Sequence, residues 1–302
     1  MKHKFISYIC VVFLLMGVFS GCGRQTATAL VNTRSFDIGD FKNLRLDYDA
    51  DDIHVLESDN DKVIVKEYMN ENKKSYYAKT SMQNGELLIT EGDRPRRSSF
   101  ESYIEIYIPQ NYANSLSLHA TSGAIACEIE LNLSGDFSID TTSGAVEISG
   151  TKASTIKATS TNGSLSFENI DAEELNIQTT NATTSMNQIN GVIRYQSKGG
   201  KLTASNLSGS GSFNASGEGS IDISFTDVTS DLSAYSKNGT LMVTLPSELD
   251  FKFSAATKEG SIDASFADQL AITDKTAAGT VGTAPAITVK LETRNGDIKV
   301  VR

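Results

Sequence analysis

Apolar and polar residues alternate in short runs along almost the whole chain, and this period of two predicts β-strands. Two stretches show the pattern well, residues 137–148 (FSIDTTSGAVEI) and residues 156–167 (IKATSTNGSLSF). Both follow one template, in which two alternating apolar positions precede a small polar turn ending in Gly and two more follow it. Helical periodicity is nearly absent. The pattern therefore predicts an all-β fold built from repeated units.

The Gly of this template recurs at intervals of about 20 residues, which is typical of a repeat protein. Ala182 replaces it once, and Asp51 holds its place in an earlier copy, residues 44–55, whose apolar positions all fit. The longest interval contains an irregular insertion at about 268–285. The anchor glycines are Gly123, Gly144, Gly163, Gly200, Gly219, Gly239, Gly260 and Gly296.

Asn-Gly pairs at 162, 238 and 295 join alternating strands, and such pairs also mark β-hairpins. The residues further along favour another arrangement. Gly150, Asn169 and Asn206 stand six residues after their anchors, and apolar residues follow where strict alternation would place polar ones. This change of parity predicts a second corner. Two corners and three short inward faces per repeat predict a single-stranded parallel β-helix (β-solenoid) with rungs of about 20 residues.

The residue three positions before each anchor is always small, which predicts tight corners that stack on one another. We expect the Asn-Gly pairs to supply the positive φ values that such corners require. The residues at this position are Ala120, Thr141, Ser160, Thr179, Ser197, Ser216, Ser236, Thr257 and Thr293.

The N-terminus has the pattern of an export signal, because Lys2 and Lys4 precede an apolar stretch of about 15 residues. A spanning helix needs roughly 20, so an uncleaved anchor is less favoured. Residues 19–22 (FSGC) resemble the lipobox of bacterial lipoproteins. This resemblance implies that Cys22 receives diacylglycerol and becomes the new N-terminus.

The chain then divides into four parts. We expect a lipoprotein signal peptide at 1–21, a tether at 22–35, a less regular N-terminal β segment at 36–112 and a β-solenoid repeat region at 113–302. The tether is rich in Thr, Ala and Asn.

Charge narrows the choice of partners. The net charge is −10, and loss of Lys2 and Lys4 with the signal peptide gives 25 − 37 = −12. Such a surface repels nucleic acid and anionic lipid. The dense basic run comprises Arg94, Arg96 and Arg97. A solvated surface loop is favoured there over a grip on an acidic partner.

Candidate chemistry is sparse. Cys127 alternates with an apolar residue on an inward strand face, which predicts an inert buried thiol. His54 and His119 are far apart in sequence, so neither a zinc site nor a thiol protease is indicated. Residues 47–52 begin like a calcium loop but lack its Gly and its bidentate Glu. We therefore predict no catalytic, cofactor or metal site, and one modified residue, Cys22.

The repeats resemble a bacterial "putative adhesin" family of unknown function, which includes LiaG-like proteins of cell-envelope stress operons. The resemblance rests on the repeated Thr-x-Ser/Asn-Gly units, on the strand end at 243–246 before residues 251–260, and on the terminal residues 291–300. It implies a single-stranded β-helix at the cell surface. It implies no particular chemistry.

Together these patterns predict a lipid-anchored cell-surface protein that binds or scaffolds envelope components without catalysis, exported and facing away from the cytoplasm. The expected partners are the membrane, through Cys22, and an envelope polysaccharide or a surface protein. Two alternatives stay open. One is a glycan-active enzyme, for which Asp222 and Asp263 would share a face two rungs apart. The other is an accessory component of an envelope-stress sensing system.

Overall fold

A computed structural model describes residues 28–302, which are almost entirely β-structure apart from three short 3-10 helices. The predicted signal peptide, Cys22 and the first part of the predicted tether, up to residue 27, lie outside the described residues. The 3-10 helices are Ile38–Asp40, Lys74–Tyr76 and Ala267–Gln269.

The strands fall into three groups along the chain. The N-terminal strands are β1 (Ala29–Asp37), β2 (Asn43–Tyr48), β3 (Asp52–Glu57), β4 (Lys62–Met69), β5 (Lys79–Gln83), β6 (Glu86–Thr90) and β7 (Ser102–Ile108). The central strands are β8 (Ser115–Ala120), β9 (Ile125–Cys127), β10 (Leu131–Asn132), β11 (Phe137–Thr141), β12 (Val146–Ser149), β13 (Thr151–Ser160), β14 (Leu165–Thr179), β15 (Thr184–Gly199), β16 (Leu202–Glu218), β17 (Ile221–Ser236) and β18 (Leu241–Thr244). The last strands are β19 (Phe251–Glu259), β20 (Ile262–Ala264), β21 (Leu270–Ile272), β22 (Thr276–Val281), β23 (Ile287–Asn295) and β24 (Ile298–Val301).

Equivalent strands of successive repeats pair in parallel and in register, as the β-solenoid prediction requires. Strand β11 lies between β8 and the second half of β13, while β12, which follows the corner, lies between β9 and the first half of β14. Alternate residues of every rung point into one continuous apolar core. The fold prediction is confirmed.

The copy at residues 44–55 forms the first two faces of a rung. Strand β2 pairs in parallel with β8, and β3 pairs in parallel with β9. The parallel stack therefore begins at β2, inside the segment that the sequence describes as less regular. The irregularity lies instead in the strands that cover this first rung.

The stacking order departs from the chain order at the C-terminal end. Strand β23 inserts between β17 and β19, and β24 inserts between β18 and β20. The Asp222 and Asp263 side chains are consequently three strand spacings apart, not two rungs. That separation is about 14 Å.

Antiparallel strands finish both ends of the stack. At the N-terminal end β6 and β7 pair in parallel with β2 and β3, and then β5, β4 and β1 add in antiparallel fashion. At the other end β22 and β21 add antiparallel to β19. Residues 29–35, which the sequence places in the tether, belong to β1 because their backbone pairs with β4.

The second corner is confirmed by backbone angles. Gly150, Asn169, Gln188 and Asn206 have φ values of 68°, 52°, 54° and 55°. These four residues stand six positions after successive anchors, and the apolar residues that follow the last three are buried.

The glycines of the Asn-Gly pairs at 162, 238 and 295 do not supply the predicted positive φ values, although the anchors Gly200 and Gly260 have φ values of 89° and 149°. Gly163, which follows Asn162, does not have a positive φ. A Cβ at Gly163 would instead lie 1.9 Å from the carbonyl oxygen of Gly144, and one at Gly144 would lie 1.9 Å from that of Gly123. The corners stack so closely that the backbone of one rung occupies the space of the next rung's side chain.

Buried hydroxyls line the inside of these corners. The Oγ1 atom of Thr141 accepts a hydrogen bond of 3.0 Å from the Gly144 amide, and the Ser236 hydroxyl donates one of 2.7 Å to the Gly219 carbonyl. They satisfy backbone groups that the corner would otherwise bury unpaired. The prediction is wrong for one residue of this column, Ser216. An irregularity in register between β15 and β16 places Ala215 in this column and leaves Ser216 exposed.

Candidate binding surfaces

Polar side chains form straight columns on the outside of the stack. Thr159, Gln178, Gln196 and Asn214 occupy equivalent positions on four successive rungs, so their spacing is about 4.8 Å. They line a shallow groove of about 360 Å³ together with Lys198 and the neighbouring corner residues. A column of this kind offers the same donors and acceptors at a regular repeat.

Hydrogen bonds between rungs order these surfaces. The side-chain amide of Asn295 donates to that of Asn238 at 2.8 Å, and Asn190 donates to Asp171 at 2.9 Å. Contacts to Asn190 and Lys152 lower the pKa of Asp171. The polar columns are therefore partly preorganised.

Arg94 contradicts the prediction of a solvated basic loop. Its side chain is only 3 % exposed, and its guanidinium forms ion pairs with Asp51 and with Glu67, the latter at 2.5 Å. The Arg94 Nε also donates to the carbonyl of Tyr76 at 3.1 Å. The guanidinium carbon lies 5.5 Å from the centre of the Tyr48 ring.

The substitution at the first corner explains this burial. Asp51 stands where other rungs have Gly, and its carboxylate is buried. A buried carboxylate needs a partner, and the 91–102 loop supplies both Arg94 and the Ser102 hydroxyl, which donates to Asp51 at 2.5 Å. Sequence reasoning noticed both Asp51 and Arg94 but had no means of pairing them.

Glu67 completes the buried cluster. Its carboxylate accepts hydrogen bonds from the Ala78 amide at 2.9 Å and from the Asn32 side chain at 2.6 Å. Burial raises the pKa of Glu67 and lowers the pKa of Arg94 to about 10, because each charge has been removed from water. Asn32 in β1 thus joins the same network as the first corner.

The remaining arginines of the loop lie at the surface. Arg96 is 90 % exposed and pairs with Asp49 at 2.9 Å, while Arg97 pairs with Glu71. A cavity of about 440 Å³ is lined by the loop and by the first corner. Because its walls carry acidic and basic groups in near balance, the cavity does not select strongly for an anion.

A cluster of outward tyrosines covers the N-terminal end of the stack. Tyr68 in β4 and Tyr103 and Tyr107 in β7 point away from the core and are half-buried. Together with Leu30 in β1, 50 % exposed and in register with Tyr68, they form what we term the tyrosine face. The sequence contained the signal, since these tyrosines occupy the polar positions of alternating strands.

The tyrosine face is held in a fixed geometry. The rings of Tyr68 and Tyr103 stack at 4.6 Å with an interplanar angle of 5°. Glu105 accepts hydrogen bonds from the hydroxyls of Tyr68 at 2.9 Å and Tyr107 at 2.7 Å. The Lys66 ammonium lies 4.1 Å from the centre of the Tyr107 ring. Desolvation and the bond to Glu105 raise the pKa of Tyr68 to about 12.

The other residues singled out in the sequence are dispersed. Cys127 is fully buried, and burial raises the pKa of its thiol to about 12. His119 lies between Asp47 and Asp140 on the outer surface, at 3.9 and 3.5 Å, while His54 lies on another face beside Tyr103. Within residues 28–302 no three His, Cys, Asp or Glu side chains converge in a way that could hold a metal ion.

Comparison with known families identifies the fold. The profile of Toastrack DUF4097 matches residues 41–301, which is most of the chain. The chain belongs to the Toastrack DUF4097 family. The match starts just before β2 and ends in β24, so it spans the whole parallel stack; β1 precedes it. None of the curated proteins compared with the chain matches it.

Several solved structures resemble this Toastrack chain. A "putative adhesin" from Bacteroides fragilis NCTC 9343 is 15 % identical, with 92 % of this chain and 100 % of that chain covered and a TM-score of 0.45. A "putative lipid binding protein" from Parabacteroides distasonis ATCC 8503 is 16 % identical, with 90 % and 96 % covered and a TM-score of 0.44. At these values the likenesses carry no argument about what this Toastrack protein binds.

The described part of the Toastrack chain has no helix with the length and apolar composition needed to cross a membrane.

Proposed function

We propose that this Toastrack protein is an exported lipoprotein, attached to the membrane through Cys22, that binds or scaffolds envelope components without catalysing a reaction. The observation that carries the binding role is the set of regular polar columns. Their hydroxyl and amide groups repeat every 4.8 Å or so along the stack.

Such columns suit a polymer better than a small molecule. Each contact is a single weak hydrogen bond at an exposed position, but several contacts made by one chain add through multivalency. Polysaccharides offer hydroxyls and amides at a regular spacing. An envelope polysaccharide is therefore the ligand class that the columns match best, with a surface protein as the other partner.

Binding can be tested on one column at a time. Replacing Gln178, Gln196 and Asn214 together by Ala removes three exposed polar groups in register. We expect cosedimentation of the protein with purified envelope polysaccharide to fall several-fold, because loss of adjacent weak contacts multiplies. Equal cosedimentation of wild type and variant would refute a role for this column.

A matched control lies on another face of the same rungs. Ser166, Ser185 and Thr203 form an equally exposed column after the corner. Their replacement by Ala removes three polar groups without touching the groove, so cosedimentation should change little. A similar loss in both variants would show that binding is not confined to the groove.

Anchoring has its own test. The Cys22→Ser variant lacks the thiol that accepts diacylglycerol, so we expect it to leave the membrane fraction and to keep an unprocessed signal peptide. Fractionation of cells and the apparent mass of the protein report both effects. Normal processing and full membrane retention of the variant would overturn the lipoprotein assignment.

The positions of Asp222 and Asp263 do not favour the glycan-active enzyme. The carboxylates of inverting glycosidases stand about 6.5 to 9.5 Å apart and those of retaining enzymes about 5 Å. Asp222 and Asp263, three strands apart at about 14 Å, exceed both ranges.

A further inference from the structure

We infer that the tyrosine face rests on the lipid headgroups of the membrane that carries Cys22, so that the stack is oriented with its N-terminal end toward the bilayer. This inference deepens the proposed function and rests on attachment through Cys22.

The composition of the tyrosine face differs from the rest of the outer surface. Outward positions of the central rungs carry mainly Ser, Thr, Asn and Gln, whereas the N-terminal strands present Leu30, Ile64 and three tyrosines outward. Tyrosine has an apolar ring and a polar hydroxyl, and such residues are enriched at membrane–water interfaces. Aliphatic neighbours extend the apolar part of the surface.

The geometry of the face is suited to an interface of mixed polarity. The hydroxyls of Tyr68 and Tyr107 donate to Glu105, so these two polar ends are already satisfied within the protein. Lys66 extends along the Tyr107 ring, and a long lysine side chain can keep its ammonium among headgroups while its stem covers apolar surface. Because the rings are already fixed, little conformational entropy is lost when they meet a surface.

The position of the face follows from chain length. Only residues 23–28 separate Cys22 from Ala29 at the start of β1, and seven Cα–Cα steps span at most about 25 Å. Leu30 lies directly opposite Tyr68, whose ring stacks on Tyr103. The face is thus within about 10 Å of the point where the anchored chain enters the fold.

Charge does not oppose this arrangement. The mature chain carries −12, but charges more than about 8 Å away are largely screened at physiological ionic strength. On the face itself Lys66 balances Glu105.

The chain contains no Trp, so a single introduced Trp reports on one place. We would place it at Tyr68, and in a matched control at Tyr235, another half-buried outward tyrosine on β17. Tyr235 is seven strand spacings from the first rung, or about 35 Å. Leu30→Trp is the second reporter. It leaves both stacked rings, Tyr68 and Tyr103, in place, so it can be used if Trp at position 68 disturbs the stack.

The mature chain, residues 22–302, is coupled through Cys22 to maleimide lipid in phosphatidylcholine vesicles with or without brominated acyl chains. It contains every described residue, and buried Cys127 is protected from the coupling. For Trp at position 68 or 30 we expect the fluorescence maximum to shift to the blue, and bromine to quench about half of the emission or more. For Trp at position 235 we expect neither change.

If the reporters at positions 68 and 30 had equal emission in vesicles with and without bromine, the proposed contact of the tyrosine face with the membrane would be overturned. Equal quenching at position 235 would also overturn it, since the molecule would then lie without a preferred end. A shift caused by soluble envelope polysaccharide without vesicles would assign the face to a glycan instead. Because coupling is chemical, these results do not depend on whether cells lipidate Cys22.

Discussion

Arg94 pairs with a buried charge that is present because Asp51 replaces the Gly of other rungs. A glycine at the first corner would need no partner, whereas Asp51 buries a carboxylate there and Glu67 adds a second one beside it. The guanidinium forms an ion pair with each carboxylate and ties the 91–102 loop to the stack. Ion pairs of this kind are costly to break from one side, because the remaining charge stays buried.

Arg94→Met should therefore lower the free energy of unfolding by about 3 to 5 kcal/mol. Urea denaturation followed by circular dichroism measures this change. The matched control is Arg96→Met, whose side chain is 90 % exposed and which should change stability by less than about 1 kcal/mol.

A triple variant separates charge from packing. In Asp51→Gly, Glu67→Gln and Arg94→Met combined, no buried charge of the cluster remains and the corner regains the Gly of other rungs. We expect it to recover part of the lost stability. If Arg94→Met alone unfolded at the wild-type urea concentration, the cluster would have no energetic role.

At the scale of the element, the corner is defined by close backbone approach. Successive anchors face the carbonyl oxygen of the rung before, and the buried hydroxyls satisfy the amides that turn inward. Ala182 shows that one rung can admit a methyl group. Valine is therefore the sharper probe of the space available.

Gly144→Val should destabilise the protein by about 3 kcal/mol or more, because its side chain would enter the backbone of the preceding rung. Gly39→Val is the control, since a Cβ at Gly39 meets nothing within 4 Å. Thermal unfolding of the two variants compares them directly. Similar melting temperatures would contradict the close approach.

The sequence predicts the rung well and the ends poorly. Periodicity reveals the strands, the second corner and the copy at 44–55, because each depends on residues near in the chain. The contact of Arg94 with Asp51 and Glu67, and the tyrosine face, depend on which distant strands become neighbours. The periodicity predicts Ser216 in the buried column, whereas an irregularity in register after Ser197 places Ala215 there.

At the scale of the molecule, the stack has antiparallel strands at both ends and an unexpected order. In the described part of the chain the outermost strands keep one unpaired edge, since β1 pairs with β4 alone and β21 with β22 alone. Strand β23 has a parallel neighbour on each side although it lies near the C-terminus. Position in the chain is therefore a poor guide to position in the fold.

Hydrogen exchange should reveal this order. Amides of Ile287–Asn295 are expected to exchange about tenfold more slowly than those of Leu270–Ile272, which pair only with β22. Mass spectrometry of peptic fragments measures both. Faster exchange in β23 than in β21 would mean that β23 frays as an ordinary chain end does.

The placement of β23 also determines when the protein can finish folding. Strands β17 and β19 cannot be joined into one sheet until residues 287–295 have been made, because β23 must lie between them. Contacts of such long sequence separation form slowly. The export proposed above would benefit from this delay, since the sheet stays open between β17 and β19 until β23 is available.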